Sequence, residues 1–345
     1  MLAGWYRSFH QAGLAPEGHM SVTRRELIVA LGGAAAWPLD ARAQQPERMR
    51  RIAWLGLGRA DVPSPYLDAL RSGLRERGWI DGRNLTIGTY WAAGQQDMDA
   101  VAHTLAASNP EVIVTQEFTI YAVRSLDTVV PVVFGVSGDP VDAKFVESFA
   151  RPGGNLTGMS YLAIDLVGKR IELLKEWVPQ ARHAAILARP QHPGEHRERQ
   201  ATQEVIDKLD MLLSYFPTPD LSEIDETFRA ILQARCDTLV VFPDAVMFAV
   251  SDRIARFASE ARLPSVSGWG SFARNGLLLT YGPNVPEIYR SLARYVDRIL
   301  RGARAAELPV ELPTRFELVI NLGTAKALGL DIPPMLLARA DEVIE

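Results

Sequence analysis

Residues 130–140 read Val-Pro-Val-Val-Phe-Gly-Val-Ser-Gly-Asp-Pro, and this stretch decides the fold. Val130–Val136 is an apolar run rich in β-branched residues. Without a polar alternation it predicts a strand covered on both faces, as strands of parallel sheets are. Gly135-Val136-Ser137-Gly138-Asp139-Pro140 then turns the chain at the carboxyl end of that strand. Pro140 suits the first turn of a helix, with Asp139 as its cap. Ligands of doubly wound sheets bind in crevices outside the carboxyl ends of strands. Ser137, Gly138 and Asp139 are therefore candidate ligand-binding residues. For Asp139 two readings stand side by side: a cap only, or a carboxylate that faces the cleft and pairs with a ligand ammonium.

Working outward, the same strand–helix alternation continues on both sides. Upstream, Arg51–Leu57, Asn84–Tyr90 and Val112–Thr115 read as strands. Pro65 opens a helix with Leu67, Leu70 and Leu74 on one face, and Gly78 ends it. Further helices are expected over Asp97–Ala107 and Ile120–Leu126. Downstream, strands are expected at Ala184–Ala188, Met211–Tyr215, Thr238–Phe242, Ser265–Val266, Leu277–Thr280 and, last, Phe316–Ile320. Helices fall at Lys169–Trp177, Glu195–Leu209, Ser222–Ala234 (capped by Ser222), Val246–Ala261, Val285–Leu300 and, last, Thr324–Leu328. Repeated βα units imply parallel sheets with helices on both faces. A chain of 345 residues carries more of them than one core holds. The reading is α/β, with two Rossmann-like lobes. No Pro/Gly/Ser-rich linker separates them, so short segments join them, and the trailing helix provides for a return crossing.

Strand ends supply the remaining candidates. Gly56-Leu57-Gly58 follows the first strand, but Asp61 stands where a dinucleotide fingerprint needs its third glycine, so Gly58 is read as a turn at the cleft edge. Thr115 and Gln116 end the third strand. Gly153-Gly154-Asn155-Leu156-Thr157-Gly158 permits a tight crossover that brings Thr157 and Ser160 to the cleft; a plain surface turn is the other reading. Asp244 follows the Thr238–Phe242 strand and faces from the second lobe, and Tyr281 stands where the chain returns to the first. Trp91, Phe118, Tyr161, Trp269 and Tyr281 lie near strand ends, where aromatic faces stack apolar ligands or simply pack the core.

The N-terminal region reads as an address. Arg24-Arg25 precede an apolar run, Leu27–Leu39, too short to span a bilayer at about 20 residues. Ala41-Arg42-Ala43 offers a cleavage site after Ala43. The adjacent arginines resemble a twin-arginine export motif, and residues 1–19, before Met20, read as an upstream extension. Position 44 is Gln44, not cysteine, so no lipid anchor is expected and the periplasm is the expected location. The net charge of −4 provides no basic stripe for nucleic acid. Cys236, the single cysteine, excludes an intramolecular disulfide and reads as buried and inert. No Gly-x-Ser-x-Gly elbow or Walker sequence is present. Pro193 and Gly194 interrupt the helix that would align His192 with His196 for a metal. Neither metal nor cofactor is expected, and the sequence pairs no nucleophile with a base.

Three runs carry a resemblance: Asp139-Pro140-Val141; Arg151-Pro152-Gly153-Gly154-Asn155-Leu156-Thr157-Gly158 with Lys169-Arg170-Ile171-Glu172-Leu173-Leu174-Lys175; and Pro313-Thr314-Arg315-Phe316-Glu317-Leu318-Val319-Ile320-Asn321-Leu322, followed by Ile332-Pro333-Pro334. They resemble the ABC-transporter substrate-binding family related to tryptophan-binding proteins, from about residue 50 to residue 345. The resemblance implies a type I periplasmic binding fold with three crossovers. It divides the chain into lobe 1 (residues 50–158 and 281–305) and lobe 2 (159–280 and 306–345). It implies a monomer that captures a small solute by clamshell closure and delivers it to an ABC permease with its ATPase. An aromatic or other amino acid suits such a cleft: loop amides hold the carboxylate, and Asp139, with Glu117 second, holds the ammonium. Three loops depart from the family pattern: Thr115-Gln116-Glu117-Phe118, Ala143-Lys144-Phe145 and Arg189-Pro190-Gln191-His192. A membrane-receptor sensor and a cleft enzyme are the alternative functions. A sugar-repressor-like regulator would need a DNA-binding helix pair where the export signal stands.

Overall fold

The structure, a computed structural model, describes residues 49–345 apart from Ala163, so the leader expected at 1–43 lies outside the described residues. The stretch at residues 132–136 forms β4 (Val132–Val136), and all five of its residues are buried. It lies in a five-stranded parallel sheet with β1 (Arg50–Leu57), β2 (Leu85–Ala92), β3 (Val112–Gln116) and β5 (Leu156–Ser160), ordered β2-β1-β3-β4-β5. Helices α1 (Pro65–Glu76), α2 (Gln95–Ala107) and α3 (Thr119–Ser125) connect these strands. Ser64 caps α1 by accepting from the Leu67 amide, and Pro65 begins it.

A second sheet holds β6 (His183–Ala188), β7 (Leu212–Pro217), β8 (Thr238–Val241), β9 (Ser265–Ser267), β10 (Leu279–Pro283), β11 (Phe316–Asn321) and β12 (Glu342–Ile344). Its order is β12-β11-β10-β9-β8-β6-β7, parallel except where β10 meets β11. Helices α4 (Val167–Trp177), α5 (Glu195–Lys208), α6 (Ile224–Gln233), α7 (Ala245–Phe248), α8 (Ser251–Glu260) and α9 (Gly270–Arg274) accompany it.

The long helix α10 (Val285–Leu300) is capped by Asn284 and followed by Gly302 at φ 103°. Val285, Ile288, Leu292, Val296 and Ile299, the residues in phase, are all buried. Each such side chain stabilises the fold by about 1.5–3 kcal/mol relative to exposure. Although α10 follows the second sheet in the chain, it covers the first. Its axis runs so close to α1 that a Cβ on Gly73 would meet the Arg290 carbonyl oxygen at 2.2 Å. The Tyr289 hydroxyl donates to the Gly135 carbonyl at 3.0 Å. The chain thus passes between the sheets three times: after β5, after β10, and after α10. On the last passage residues 308–311 run beside β5. The Glu311 amide donates to Gly158 O and the Ser160 amide to Glu311 O, both at 3.1 Å.

The structure departs from the sequence reading at several points. The glycine-rich crossover is a fifth strand: Gly153 (φ 85°) makes the turn, and Leu156–Ser160 then pairs in register with Val132–Val136. The boundary expected at residue 281 falls inside β10, where Tyr281 pairs with Leu318; the chain leaves the sheet only after Pro283. The helix expected over 246–261 is two, α7 and α8. Asp244 caps the first, and Ser251, held by the Asn275 side-chain amide at 2.7 Å, starts the second. Ser222 does not cap its helix; Asp220 accepts from the Ser222 amide and starts a short 3-10 turn instead. Phe316–Asn321 is not the last strand. The short, charged β12 pairs with it, and α11 (Leu322–Leu328) and α12 (Pro334–Leu337) lie between them.

Candidate functional site

The carboxyl ends of the two sheets border a cleft of two adjoining cavities, ≈ 710 and ≈ 460 Å³. Glu117, Phe118, Arg189, Ala245 and Val246 line both. The first sheet contributes Gly58 after β1, Trp91 near the end of β2, Gln116 at the end of β3 with Glu117 and Phe118 after it, and Ser137 and Gly138 after β4. From the second come Arg189 after β6, Asp220 after β7, Asp244 to Val246 after β8, and Trp269 after β9. Of the aromatic residues expected near strand ends, Trp91, Phe118, Tyr161 and Trp269 line the cleft. Tyr161 meets Trp269 edge to face at 5.7 Å, so the two rings form a joined apolar surface on the lining.

Of the ten site residues expected, Gly58, Gln116, Ser137, Gly138 and Asp244 line the cleft, and so does Glu117, the second candidate for an ammonium. The other five do not. Asp139 is buried, but its Oδ1 accepts from the Val141 and Asp142 amides (2.8 and 3.0 Å) and its Oδ2 from Arg197. It is a cap with an arginine partner. Thr157 donates to Leu308 O at 2.6 Å, and Ser160 to Gly138 O at 2.9 Å, so both stitch loops beneath the cleft. Thr115 is fully buried in β3. Tyr281 points to the second core, 6.4 Å from the Phe316 ring.

The polar centre of the cleft is a network of residues distant in sequence. Glu117 follows β3 with φ 51°, a left-handed conformation that a non-glycine residue seldom adopts. Its Oε2 accepts from the Ser137 hydroxyl (2.7 Å) and amide (3.2 Å). The same hydroxyl lies 2.9 Å from His192 Nε2. With Ser137 donating to Glu117, His192 presents its N–H to the Ser137 oxygen. Asp244 caps α7 through Oδ1 (2.6 Å to the Val246 amide) and meets Arg189 through Oδ2 at 3.2 Å. Burial pushes the Glu117 carboxyl up to about 8, with the Asp244 charge adding and the Ser137 hydrogen bonds opposing. Desolvation holds His192 below its ordinary value and therefore neutral near pH 7.

Sequence reasoning tested His192 only against metal binding. Among the described residues no group of three His, Cys, Asp or Glu is placed to hold a metal. Ser137 and His192 are a hydroxyl and a base within hydrogen-bond reach, a pairing the sequence did not disclose. The Ser137 proton is directed at Glu117, and no described carboxylate bonds the far nitrogen of His192, so the orienting third member of a nucleophilic triad is missing. Spacing offered no signal for this pair, because 55 residues separate its members. Cys236 is buried, and its thiol is pushed up to about 11 by desolvation, in keeping with an inert role.

Two parallel-dominated sheets, joined by three passages and bordering a cleft at their strand ends, define a type I periplasmic binding protein. Residues 64–344 match the family described as ABC transporter substrate binding protein. The chain belongs to that family and is a substrate-binding protein. Among curated proteins it is similar to the tyrosine-binding protein of Clostridioides difficile, 23% identical over 278 residues that cover 78% of this chain and 79% of that protein. Among solved structures it resembles a conserved domain protein from Vibrio cholerae, 27% identical with a TM-score of 0.77, covering 86% of this chain and 100% of the other. It also resembles the ABC domain of a Streptococcus pneumoniae protein in complex with L-Trp, 20% identical with a TM-score of 0.77, covering 86% and 99%. These relatives are binding proteins where their function is stated.

Proposed function

We propose that the protein is the solute-binding component of an ABC importer and that it captures an amino acid in the cleft between the sheets. The observation that carries this reading is the lining itself. Both sheets contribute strand-end residues to one cleft, and that cleft combines aromatic walls with charges of both signs. Two relatives named for tyrosine and complexed with L-Trp support the amino-acid class. A ligand touching both sheets favours the closed arrangement by its differential affinity, so capture and closure are one event. In this reading each sheet with its helices is a lobe, and the three passages are the hinge. The mature chain is a periplasmic monomer, freed from its leader after Ala43, and it hands the solute to a permease with its ATPase.

The test is a thermal-shift screen of the twenty amino acids on the mature chain. A true ligand at 100 times its dissociation constant adds about 2.7 kcal/mol of stability. Small-angle scattering then shows a smaller radius of gyration in the complex. Stabilisation by no amino acid, or conversion of one into product, overturns the reading.

A further inference from the structure

We propose that Glu117 takes the ammonium of the bound amino acid on its unpartnered carboxyl oxygen, and releases a proton to solvent as it does so. The proposal rests on the reading of the cleft as an amino-acid site.

Position comes first. Glu117 lines both cavities, at their junction. Its Oε2 is spent on Ser137, whereas its Oε1 is buried and has no hydrogen-bond partner among the described residues. A buried polar atom without a partner is costly, and here it sits on a residue that lines the cleft, where a ligand can supply that partner. Of the other acidic groups at or near the cleft, Asp99 is exposed to solvent and the rest are already committed. Asp244 serves α7 and Arg189, Asp139 serves its own turn and Arg197, and Asp220 holds the Ser222 amide. Glu117 therefore has the one buried carboxyl oxygen at the cleft left for a cationic donor.

The charge state follows from the surroundings. From the first-sheet side Glu117 faces Tyr66 of α1 and Tyr289 of α10, both held neutral because burial raises their hydroxyls. Across the cleft stand neutral His192, and Arg189 already paired with Asp244. Asp99 and Arg59 line the outer walls of the smaller and larger cavities. No described cation pairs with Glu117, and the Asp244 charge opposes its ionisation. Near pH 7 the empty cleft therefore holds a neutral carboxyl. A proton on Oε1 leaves both Ser137 bonds to Oε2 intact. An arriving ammonium favours the charged form. The O–H bond of Glu117 breaks, its proton passes to water, and an N–H···O bond from the ammonium takes its place. The ligand keeps its own charge, and one proton leaves per ligand bound.

Linkage turns this into a measurable slope: affinity strengthens by up to about tenfold per pH unit below about pH 8, and weakens again at higher pH where the ligand's ammonium loses its own proton. Calorimetry with L-tyrosine and L-tryptophan, in buffers of different ionisation enthalpy near pH 7, counts the protons on the unmodified protein. Close to one proton released, with a dissociation constant that falls toward pH 8, supports the proposal. Glu117→Gln should bind more weakly, with no proton released and a flat pH profile over the range where the unmodified protein strengthens. Binding with no proton release, or a proton count that survives Glu117→Gln, overturns the assignment while leaving the amino-acid site standing. Failure of every amino acid to bind removes the site reading, and the proposal with it.

Discussion

Replacing Arg170 with methionine tests the best-buried ion pair of the described chain. Arg170 on α4 and Glu198 on α5 have side chains only 4% and 2% exposed, and meet at 3.0 Å. Arg170 also donates to the Tyr281 carbonyl at 2.8 Å, so a single guanidinium joins two helices to β10. Burial pushes the Glu198 carboxyl up to about 7 even with the arginine present, and its Oε2 has no partner among the described residues. Removing one member of such a pair costs about 3–5 kcal/mol, because the other is left buried and uncompensated. At about 1.6 °C per kcal/mol for a chain of roughly 300 residues, Tm falls by about 5–8 °C. The pH dependence has a definite sign. A carboxyl raised above its unfolded value holds its proton more tightly in the native state, so stability declines as pH rises through the window between the two values. Without Arg170 the Glu198 value rises further and that window widens. The deficit of Arg170→Met, read by urea unfolding, is therefore smaller near pH 5 than near pH 8. Adding Glu198→Leu should recover more than half of the loss. A deficit under about 1 kcal/mol, or one independent of pH, would refute the reasoning.

Two further substitutions separate structure from recognition. Asp139→Ala should lower stability by about 1–2 kcal/mol, the worth of a cap, and leave amino-acid affinity within about twofold; a tenfold loss of affinity at unchanged stability would return Asp139 to the ligand. Gly158→Ala should cost about 3 kcal/mol or more in urea unfolding. Its φ is 151°, and a Cβ there would stand 2.0 Å from the Phe134 carbonyl oxygen in the neighbouring strand. A near-neutral result would mean β5 does not pair with β4 as described.

Local pattern made most of the fold legible. β4 and α10 could be read because each repeats one environment along its length: apolar on both faces in one, apolar at helical spacing in the other. β5 escaped because its residues, Leu-Thr-Gly-Met-Ser, carry weak strand preference; its pairing is imposed by β4 on one side and by residues 308–311 on the other. β12 escaped for a similar reason, being three residues held by a neighbour rather than by their own composition. The site divides along the same line. Strand ends located the cleft, so Gly58, Gln116, Ser137, Gly138 and Asp244 fall on its lining. For Asp139 the sequence left cap and contact side by side, because a free carboxylate and a capping one are identical in sequence; the structure shows the cap. His192 was missed because its partner, Ser137, comes from the other sheet.

The late position of α10 bears on how the molecule is born. The first sheet is laid down by residue 160, yet the helix that covers it ends only at residue 300, and the strip beside β5 comes later still. A nascent chain halted after β5 would expose Trp54, Leu70 and Leu74 where Tyr289 and Leu292 belong. The first half therefore cannot complete its packing until the second has been made, and that packing rests on contacts between residues far apart in the chain.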